Sequence, residues 1–392
     1  MLLTRIDGHA AIANDKALLL SAINASTSIL GGEVILQGGK PTGVLIDNAV
    51  DMVSKNIPPA SNAAFKKAMV QAEANCLAAG LTTIDDCGLD ITTIEKIKSL
   101  QQEGSLQLRI YAMLSDHPDN YRYAEKNGIL VSDRLTIRSF KAYGDGALGS
   151  RGACLLEPYH DQANHYGFLL STPAHFDSIA NWCLTQGWQL NTHAIGDSGN
   201  RTLLRIYANH LSKKPKADLR WRIEHAQVVS TADLPMFGKF GIIPSVQPTH
   251  ATSDMYWAGD RLDKERIKTA YAYQSLLEQN GWIPLGTDFP VEDISPFKTF
   301  CSAVFRKDAQ GWPEEGFQTE NALSREEALR GMTIWAARSN FEEKKKGSLE
   351  KGKWADFVVL NTDLMKASAA EILKTRVLFT YINGVKLFES NQ

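Results

Sequence analysis

The segment 188–197, WQLNTHAIGD, combines a strand pattern with residues that can do chemistry. Five residues typical of a β-strand lead to His193, and Gly196 and Asp197 then open a helical pattern. Two later segments repeat this arrangement, since LRWRIEHAQ (219–227) reaches His225 and WIPLGTDFPVED (282–293) reaches Asp288. Short apolar runs that end in such residues are typical of the strand ends that form the active site of a (β/α)8 barrel.

Strand and helix patterns alternate from residue 61 onward. We predict seven strands, at 81–86, 108–114, 135–141, 188–193, 219–225, 241–247 and 282–288. Such alternation favours a parallel sheet, and the 32 residues between His193 and His225 match the roughly 31 residues of one barrel unit. We therefore predict an α/β fold, a TIM-type (β/α)8 barrel, with an open doubly wound sheet as the alternative. Long helices are predicted at 263–279 and from the Ser324 capping box to about Arg338.

Three regions follow from these patterns. Residues 1–60 form a small α/β piece, with a hairpin at Gly38-Gly39 and a turn at Asp7-Gly8-His9. Residues 61–345 form the barrel, and residues 346–392 form a small β unit with a turn at Asn383-Gly384.

Composition excludes several classes of protein. The 392 residues carry a formal net charge of −2, with 44% hydrophobic and 22% charged residues and no basic block. We therefore expect a small-molecule substrate, neither nucleic acid nor membrane as a partner, and leave a homodimer open. The five scattered cysteines fit a reducing compartment, so we expect a cytoplasmic protein.

Four residues at predicted strand ends could form a metal centre: Lys141, His193, His225 and Asp288. Imidazole and carboxylate groups are common ligands of zinc and similar divalent ions. Lys141 would repel a cation unless CO2 converts its amine to a carbamate, an anion able to bridge two ions. Asp288 could then serve as general base on a metal-activated water. Taken singly, each residue could instead be a surface, hydrogen-bonding or capping residue.

Substrate contacts are predicted near the same rim. His250 follows the strand at 241–247, and the glycine-rich loop 144–152, GDGALGSRG, contains Asp145 and Arg151. This loop lacks the Gly-Lys-Ser/Thr ending of a P-loop, so we interpret it as a lid or pocket wall. Arg151 is a candidate for binding a substrate carboxylate, with a surface salt bridge as its alternative.

Together these motifs resemble the amidohydrolase superfamily, in its amidohydrolase-3 branch of YtcJ-like proteins. The matching stretches are RIDGHA (5–10), KAYGDGALGSRGA (141–153), THAIGD (192–197), RIEHAQ (222–227), VQPTH (246–250) and GTDFPVE (286–292). The resemblance implies hydrolysis of an amide-type C–N bond, other than a peptide bond, with one or two divalent ions, typically zinc. It also implies that Lys141 is the carboxylated strand-four lysine, His193 and His225 the strand-five and strand-six ligands, and Asp288 the strand-eight acid. The resemblance further implies that residues 1–60 are part of an α/β insertion subdomain and residues 346–392 part of a β-sandwich.

One departure from the family pattern leaves alternative functions open. The family carries a His-x-His pair at the end of barrel strand one, and these 392 residues contain no His-x-His. We accordingly expect strands two to eight only, an N-terminally truncated chain, and leave open a signal peptide upstream of the given start. A non-catalytic or regulatory homologue that binds a small molecule is the alternative function, and a protein–protein scaffold is a weaker one.

Overall fold

Three sheets organise residues 1–390, the part of the chain that the structure, a computed structural model, describes. The first is antiparallel and ordered β1-β2-β4-β3; its strands are β1 (Leu2–Thr4), β2 (Ala10–Ala13), β3 (Gly32–Gln37) and β4 (Lys40–Asp47). Helices α1 (Asp15–Leu20) and α2 (Asn48–Ser54) pack against it through a small apolar core. The predicted hairpin is confirmed, because Gly38 and Gly39 join β3 to β4 with positive φ angles.

The second sheet is parallel and curled, in the order β5-β6-β8-β9-β10-β11, and the short β7 pairs antiparallel with β8. Its strands are β5 (Thr83–Leu89), β6 (Arg109–Ser115), β7 (Leu130–Val131), β8 (Leu135–Tyr143), β9 (Gln189–Ala194), β10 (Arg222–His225) and β11 (Ile243–Ser245). Six of the seven predicted strands are therefore confirmed, some with shorter bounds.

The seventh predicted strand, 282–288, is not a β-strand in the structure. Only Leu285 forms a bridge, a parallel one to Val246 beyond the end of β11. Two hydrogen bonds flank this bridge, from the Val246 N–H to the Pro284 carbonyl at 3.1 Å and from the Gly286 N–H to the Val246 carbonyl at 3.0 Å. On the other edge, the Leu285 N–H donates to the carbonyl of Gly331 at 3.0 Å. Residues of β5 and residues 284–290 line a common cavity of about 640 Å³, and no described strand joins these two edges.

Helices cover the outer face of the parallel sheet and pack with it around one large apolar core. They are α3 (Asn62–Ala78), α4 (Ile91–Gln102), α5 (Pro118–Asn127), α6 (Pro173–Gln186), α7 (Asp197–Leu211), α8 (Pro235–Phe240), α9 (Pro248–Asp254), α10 (Ala258–Arg266), α11 (Tyr273–Asn280), α12 (Pro296–Phe305), α13 (Arg325–Met332), α14 (Ile334–Ser339) and α15 (Ala369–Ile372), with 3-10 turns at Ile267–Thr269 and Thr319–Asn321. None of the helices within 1–390 is long and apolar enough to cross a membrane.

Local sequence signals set several helix ends. The Ser61 and Thr172 side chains accept backbone N–H groups at the starts of α3 and α6, and Gly187 ends α6 in the left-handed conformation. The predicted capping box between Ser324 and Glu327 is present at the start of α13.

Two long helices were predicted wrongly because the backbone breaks inside them. Asp263 adopts φ 68°, and its carboxylate accepts the N–H groups of Glu265 and Arg266, so the predicted helix 263–279 divides into α10, a 3-10 turn and α11. Thr333, at φ −127° and ψ −92°, separates α13 from α14.

The third sheet is antiparallel and contains β12 (Phe357–Leu360), β13 (Val377–Ile382) and β14 (Val385–Glu389). A buried, two-pronged ion pair fixes it to the parallel sheet, since Arg109 on β6 donates to both carboxylate oxygens of Asp356 at 2.6 and 2.9 Å. The predicted turn at Asn383-Gly384 is confirmed. The domain boundaries at 60 and 345 stay a prediction.

Side chains alternate across β9 as the sequence indicates. Gln189 and Asn191 point to the concave inner face, where Tyr111 and Met113 contact them. Thr192 points outward and bonds the hydroxyl of Tyr207 on α7 at 2.7 Å. His193 therefore projects from the inner face near the carboxyl end of its strand.

A buried charge network holds the strands below that rim. Arg222 on β10 bonds Glu224 at 2.7 Å, Asp85 on β5 at 3.0 Å and the side chain of Asn340 at 3.0 Å. Arg222 and Glu224 are almost wholly buried. Removing one partner of such a pair leaves the other charge buried and unpaired.

We predict that Glu224→Gln lowers the free energy of unfolding by about 3–5 kcal/mol at pH 7. Burial raises the pKa of Glu224, but the charges of Arg222 and Lys141 outweigh it and hold the pKa below its ordinary value of 4.5. The ionised form therefore stabilises the fold above pH 4.5, and this stabilisation is lost as pH falls through the lower folded pKa. Urea unfolding should show that Glu224→Gln lowers the free energy of unfolding by less at pH 4 than at pH 7.

Glu103→Gln is the matched control, because Glu103 pairs with Lys66 on the exposed surface. It should leave the unfolding free energy nearly unchanged, because solvent screens an exposed ion pair. Equal penalties for the two variants would contradict the role given to the buried network.

Candidate metal centre

The four predicted metal-site residues meet at the carboxyl edge of the parallel sheet. Lys141 lies near the end of β8, His193 near the end of β9, His225 at the end of β10, and Asp288 just beyond residues 284–286. The His193 and His225 rings are 4.6 Å apart, centre to centre. Lys141 is close enough for its charge to lower the pKa of each of the other three residues.

His225 is oriented by a neighbouring side chain. Its Nδ1 lies 2.7 Å from the Oε1 of Gln247, which follows β11. Because an amide oxygen only accepts, Nδ1 carries the proton and Nε2 keeps a free lone pair. Burial lowers the pKa of His225 to about 4, so the neutral, metal-binding form prevails at pH 7. Fixing one ring nitrogen in this way is how proteins orient a metal-ligating histidine.

His193 presents its other nitrogen. Its Nε2 faces the carbonyl oxygen of Gly146 at 3.5 Å and the carboxylate of Asp145 at 3.8 Å. Nδ1 makes no hydrogen bond to any residue of 1–390 and remains available to a ligand. Burial and the nearby His225 lower the pKa of His193 well below its ordinary value.

Asp288 is ionised and held from one side. The Nε2 of His250 lies 3.2 Å from its Oδ2, and the Nδ1 of His250 lies 3.3 Å from the carboxylate of Glu292. Burial alone raises the pKa of Asp288, but the bond from His250 outweighs it and holds the pKa at about 2. Burial lowers the pKa of His250, but the two carboxylates raise it to about 10. At pH 7 His250 is therefore a cation between two anions.

Backbone strain marks two of these positions. His225 and Asp288 have φ angles of 74° and 60°, in the left-handed region where side chains with a Cβ cost about 1–3 kcal/mol. Such conformations cluster at sites where side-chain placement matters for function.

Lys141 is buried, at 3% exposure, without a carboxylate partner. Its ammonium lies 4.7 Å from the ring centre of Tyr143 and forms no salt bridge within residues 1–390. Burial favours the neutral amine, but Tyr143 and the surrounding acidic groups raise the net pKa of Lys141. Burying a lysine ammonium without an ion pair costs free energy. Such a lysine is expected where its charge partner comes from outside the chain.

The donor set fits a divalent ion. His225, His250 and Asp288 each bring one ligand atom to within 4.8 Å of the other two. Neutral imidazole with an ionised carboxylate suits zinc and related metals. His250 belongs to this group by distance, whereas the sequence assigned it to the substrate. As a cation bonded through both ring nitrogens to Asp288 and Glu292, it has no free lone pair to offer an ion.

The other two predicted substrate residues are already bonded within the chain. Arg151 pairs with Asp161 at 2.7 Å, which is the alternative expected from sequence. Asp145 is fully buried and accepts backbone N–H groups from Cys154, Ile195 and Gly196 at 2.8–2.9 Å. These bonds indicate that Asp145 holds its loop against β9. The predicted substrate contacts of Arg151 and Asp145 stay predictions.

Sequence reasoning missed three residues at this rim. Gln247 orients His225, and His9 and Asp47 reach the site from the N-terminal sheet, with the His9 ring 5.0 Å from that of His193. The stretches RIDGHA and VQPTH carried a signal for His9 and Gln247, because both are motifs behind the family resemblance. Asp47 carried no comparable local signal.

Comparison with known proteins places this site in a family. The model of the Amidohydrolase family matches residues 1–388. Over 98% of this chain and 68% of its own length, Protein LONG AFTER FAR-RED 3 of Arabidopsis thaliana is 31% identical. YtcJ of Bacillus subtilis is 29% identical over 100% of this chain and 74% of its own. The N-substituted formamide deformylase of Arthrobacter pascens is 26% identical over 97% of this chain and 72% of its own length.

A solved structure agrees with this assignment. An uncharacterised metal-dependent hydrolase from Pyrococcus horikoshii superposes with a TM-score of 0.76 at 25% identity, covering 94% of this chain and 72% of its own. The family model, the relatives and the shared fold agree with the family predicted from the motifs, YtcJ included. The chain belongs to the amidohydrolase family.

Proposed function

We propose that this chain hydrolyses an amide-type C–N bond, other than a peptide bond, with the help of a divalent metal ion. One observation carries the proposal: His225, locked by Gln247 with Nε2 free, stands beside the ionised Asp288. A metal-dependent hydrolase among the structural neighbours supports the same chemistry. The relative named as an N-substituted formamide deformylase supports N-acyl or N-formyl amides as the substrate class.

His193, His225 and Asp288 would hold the ion, together with Lys141 once CO2 has converted its amine to a carbamate. Carbamate formation would turn a buried, unpaired cation into an anionic ligand. Zinc fits the imidazole and carboxylate donors. A bound ion would polarise the substrate carbonyl and lower the pKa of a water molecule beside it.

Asp288 acts as the base. Its carboxylate takes a proton from the attacking water and later delivers that proton to the leaving nitrogen, so the amide yields a carboxylic acid and an amine. His250 donates to Oδ2 of Asp288 and keeps the carboxylate oriented toward the centre of the site. The pKa of about 2 keeps Asp288 ionised throughout the neutral range.

Two further parts of the proposal rest on other grounds. The family resemblance supports a TIM-type barrel in which the strands of the parallel sheet and residues 284–286 take the positions of strands two to eight. The five scattered cysteines support a cytoplasmic location. The alternative is a non-catalytic homologue that binds a small molecule, based on the lack of a His-x-His pair in the sequence. Chelator-sensitive turnover distinguishes the two.

We predict that zinc-loaded protein releases 4-nitroaniline from 4-nitroformanilide or 4-nitroacetanilide, and that a chelator abolishes this release. Asp288→Asn should lower kcat about 10²- to 10⁴-fold, because the amide cannot accept the proton. Absorbance at the nitroaniline band measures the rate, and elemental analysis measures the zinc. The matched control is Asp116→Asn, a carboxylate just after β6 that pairs with His175, which should keep most activity. Turnover that survives both Asp288→Asn and the chelator would refute the mechanism.

We predict that Gln247→Leu weakens zinc binding about 10- to 100-fold, because His225 loses the acceptor that fixes its ring. Competition with a chromogenic chelator measures the affinity, and circular dichroism checks the fold. Gln189→Leu is the control, since Gln189 is equally buried on the inner face of β9 but bonds Tyr111. It should lower the melting temperature without weakening zinc binding. Unchanged affinity in Gln247→Leu would exclude His225 as an oriented ligand.

A further inference from the structure

The loop between β1 and β2 brings an imidazole to the edge of the metal centre from outside the parallel sheet. His9 lies at the end of this loop, and its ring centre is 5.0 Å from that of His193. The rings of His9, His193, His225 and His250 thus form a row with centres 4.6–5.8 Å apart. His9 forms the end of this row next to His193.

Asp47 holds His9 with both its side chain and its backbone. The His9 Nδ1 lies 2.5 Å from Oδ1 of Asp47, and the Asp47 backbone N–H donates to the His9 carbonyl at 3.0 Å. A carboxylate partner places the proton on Nδ1. The other nitrogen, Nε2, makes no hydrogen bond to any residue of 1–390 and keeps a free lone pair.

Asp47 has an unfavourable backbone conformation and an unfavourable side-chain environment. Asp47 has φ 48°, in the left-handed region, and its side chain is only 1% exposed. Its second carboxylate oxygen, Oδ2, is buried without a hydrogen-bond partner. Strain and an unpaired buried acceptor both destabilise a fold, so packing alone does not account for this residue.

The glycine-rich loop is shaped around the same carboxylate. A Cβ added to Gly146 or Gly152 would lie 2.2 Å from the Asp47 Oδ2, a distance that no side chain could tolerate. Asn48, the next residue, donates to the carbonyl of Leu170 at 3.0 Å and anchors the N-terminal sheet to the same region. The sheet is therefore fixed against the rim, and His9 with it.

We propose that His9, positioned by Asp47, is a substrate-binding residue whose Nε2 accepts a hydrogen bond from the N–H of a secondary amide. This inference rests on the proposed amide hydrolysis and narrows the substrate class to amides that carry an N–H on the scissile nitrogen. An amide bound at the proposed centre has one hydrogen-bond donor at its scissile bond, the N–H, and Nε2 of His9 is a free acceptor beside the proposed ligand His193. On the same loop, Arg5 pairs with Asp7 and lies next to Gly149 of the glycine-rich loop.

The test uses a variant that separates the two nitrogens of His9. In His9→Asn the side-chain amide can still donate to Asp47 in place of Nδ1, but nothing replaces Nε2. We expect kcat/KM for 4-nitroacetanilide to fall at least about tenfold. Turnover of 4-nitrophenyl acetate, which has no N–H, should change less than about twofold, with zinc content and melting temperature retained.

Two controls complete the experiment. His210→Asn alters a second His–Asp pair, with Asp177, between the outer helices α6 and α7, and should leave the amide-to-ester ratio unchanged. Equilibrium binding of acetanilide and phenyl acetate to zinc-loaded protein gives a readout that does not need turnover. The original chain should prefer acetanilide, and His9→Asn should lose that preference.

The outcomes separate this inference from the proposed function. If the original chain hydrolyses the amide and His9→Asn loses amide and ester turnover equally, the His9 assignment is overturned. The proposed hydrolase function then stands. Absent amide turnover together with a His9-dependent preference for acetanilide would overturn the hydrolase and retain the His9 contact. If the protein shows no amide turnover and no preference for acetanilide, both the proposed hydrolysis and the His9 contact are overturned.

Discussion

Parallel strands that pair in register end at one edge of their sheet, and every proposed ligand depends on this constraint. His193 and His225 are 32 residues apart in sequence, yet β9 and β10 are adjacent and their ends bring the two rings to 4.6 Å. The strands stay in register because the buried network of Arg222, Glu224 and Asp85 links β10 to β5 beneath the rim. Loss of that register would move ligands to different heights and disperse the site.

Desolvation then decides the charge of each group at this rim. Burial makes His193 and His225 neutral, whereas His250 stays charged because two carboxylates flank it. Lys141 stays a cation because Tyr143 and the surrounding acidic groups outweigh its burial, although no carboxylate pairs with it. The charges of Lys141, His250, Asp288 and Glu292 then sum to zero. A carbamate on Lys141 would remove two positive charges and a divalent ion would restore them, which is a physical reason to pair these two events in the proposal.

The sequence predicted most of the sheet and the ligand-bearing strand ends, because these depend on local signals. Short apolar runs placed His193 and His225 at strand ends, and the capping box at Ser324 marked a helix start. Breaks at Asp263 and Thr333 were missed because polar and β-branched residues are common inside helices as well. Residues 282–288 read as a strand, but Leu285 gives its N–H to Gly331, a tertiary contact that no local pattern reveals.

The N-terminal sheet shows why the rest of the site could not be predicted. His9 and Asp47 are 38 residues apart on different strands, and both matter only because that sheet packs against loop 144–152. From the sequence we interpreted this glycine-rich loop as a lid or pocket wall. In the structure, Gly146 and Gly152 leave room for the buried Asp47 carboxylate, and a Cβ at either position would displace it. The loop therefore joins the N-terminal sheet to the candidate metal centre, and the role proposed for His9 would make substrate selection depend on the contact between these two parts.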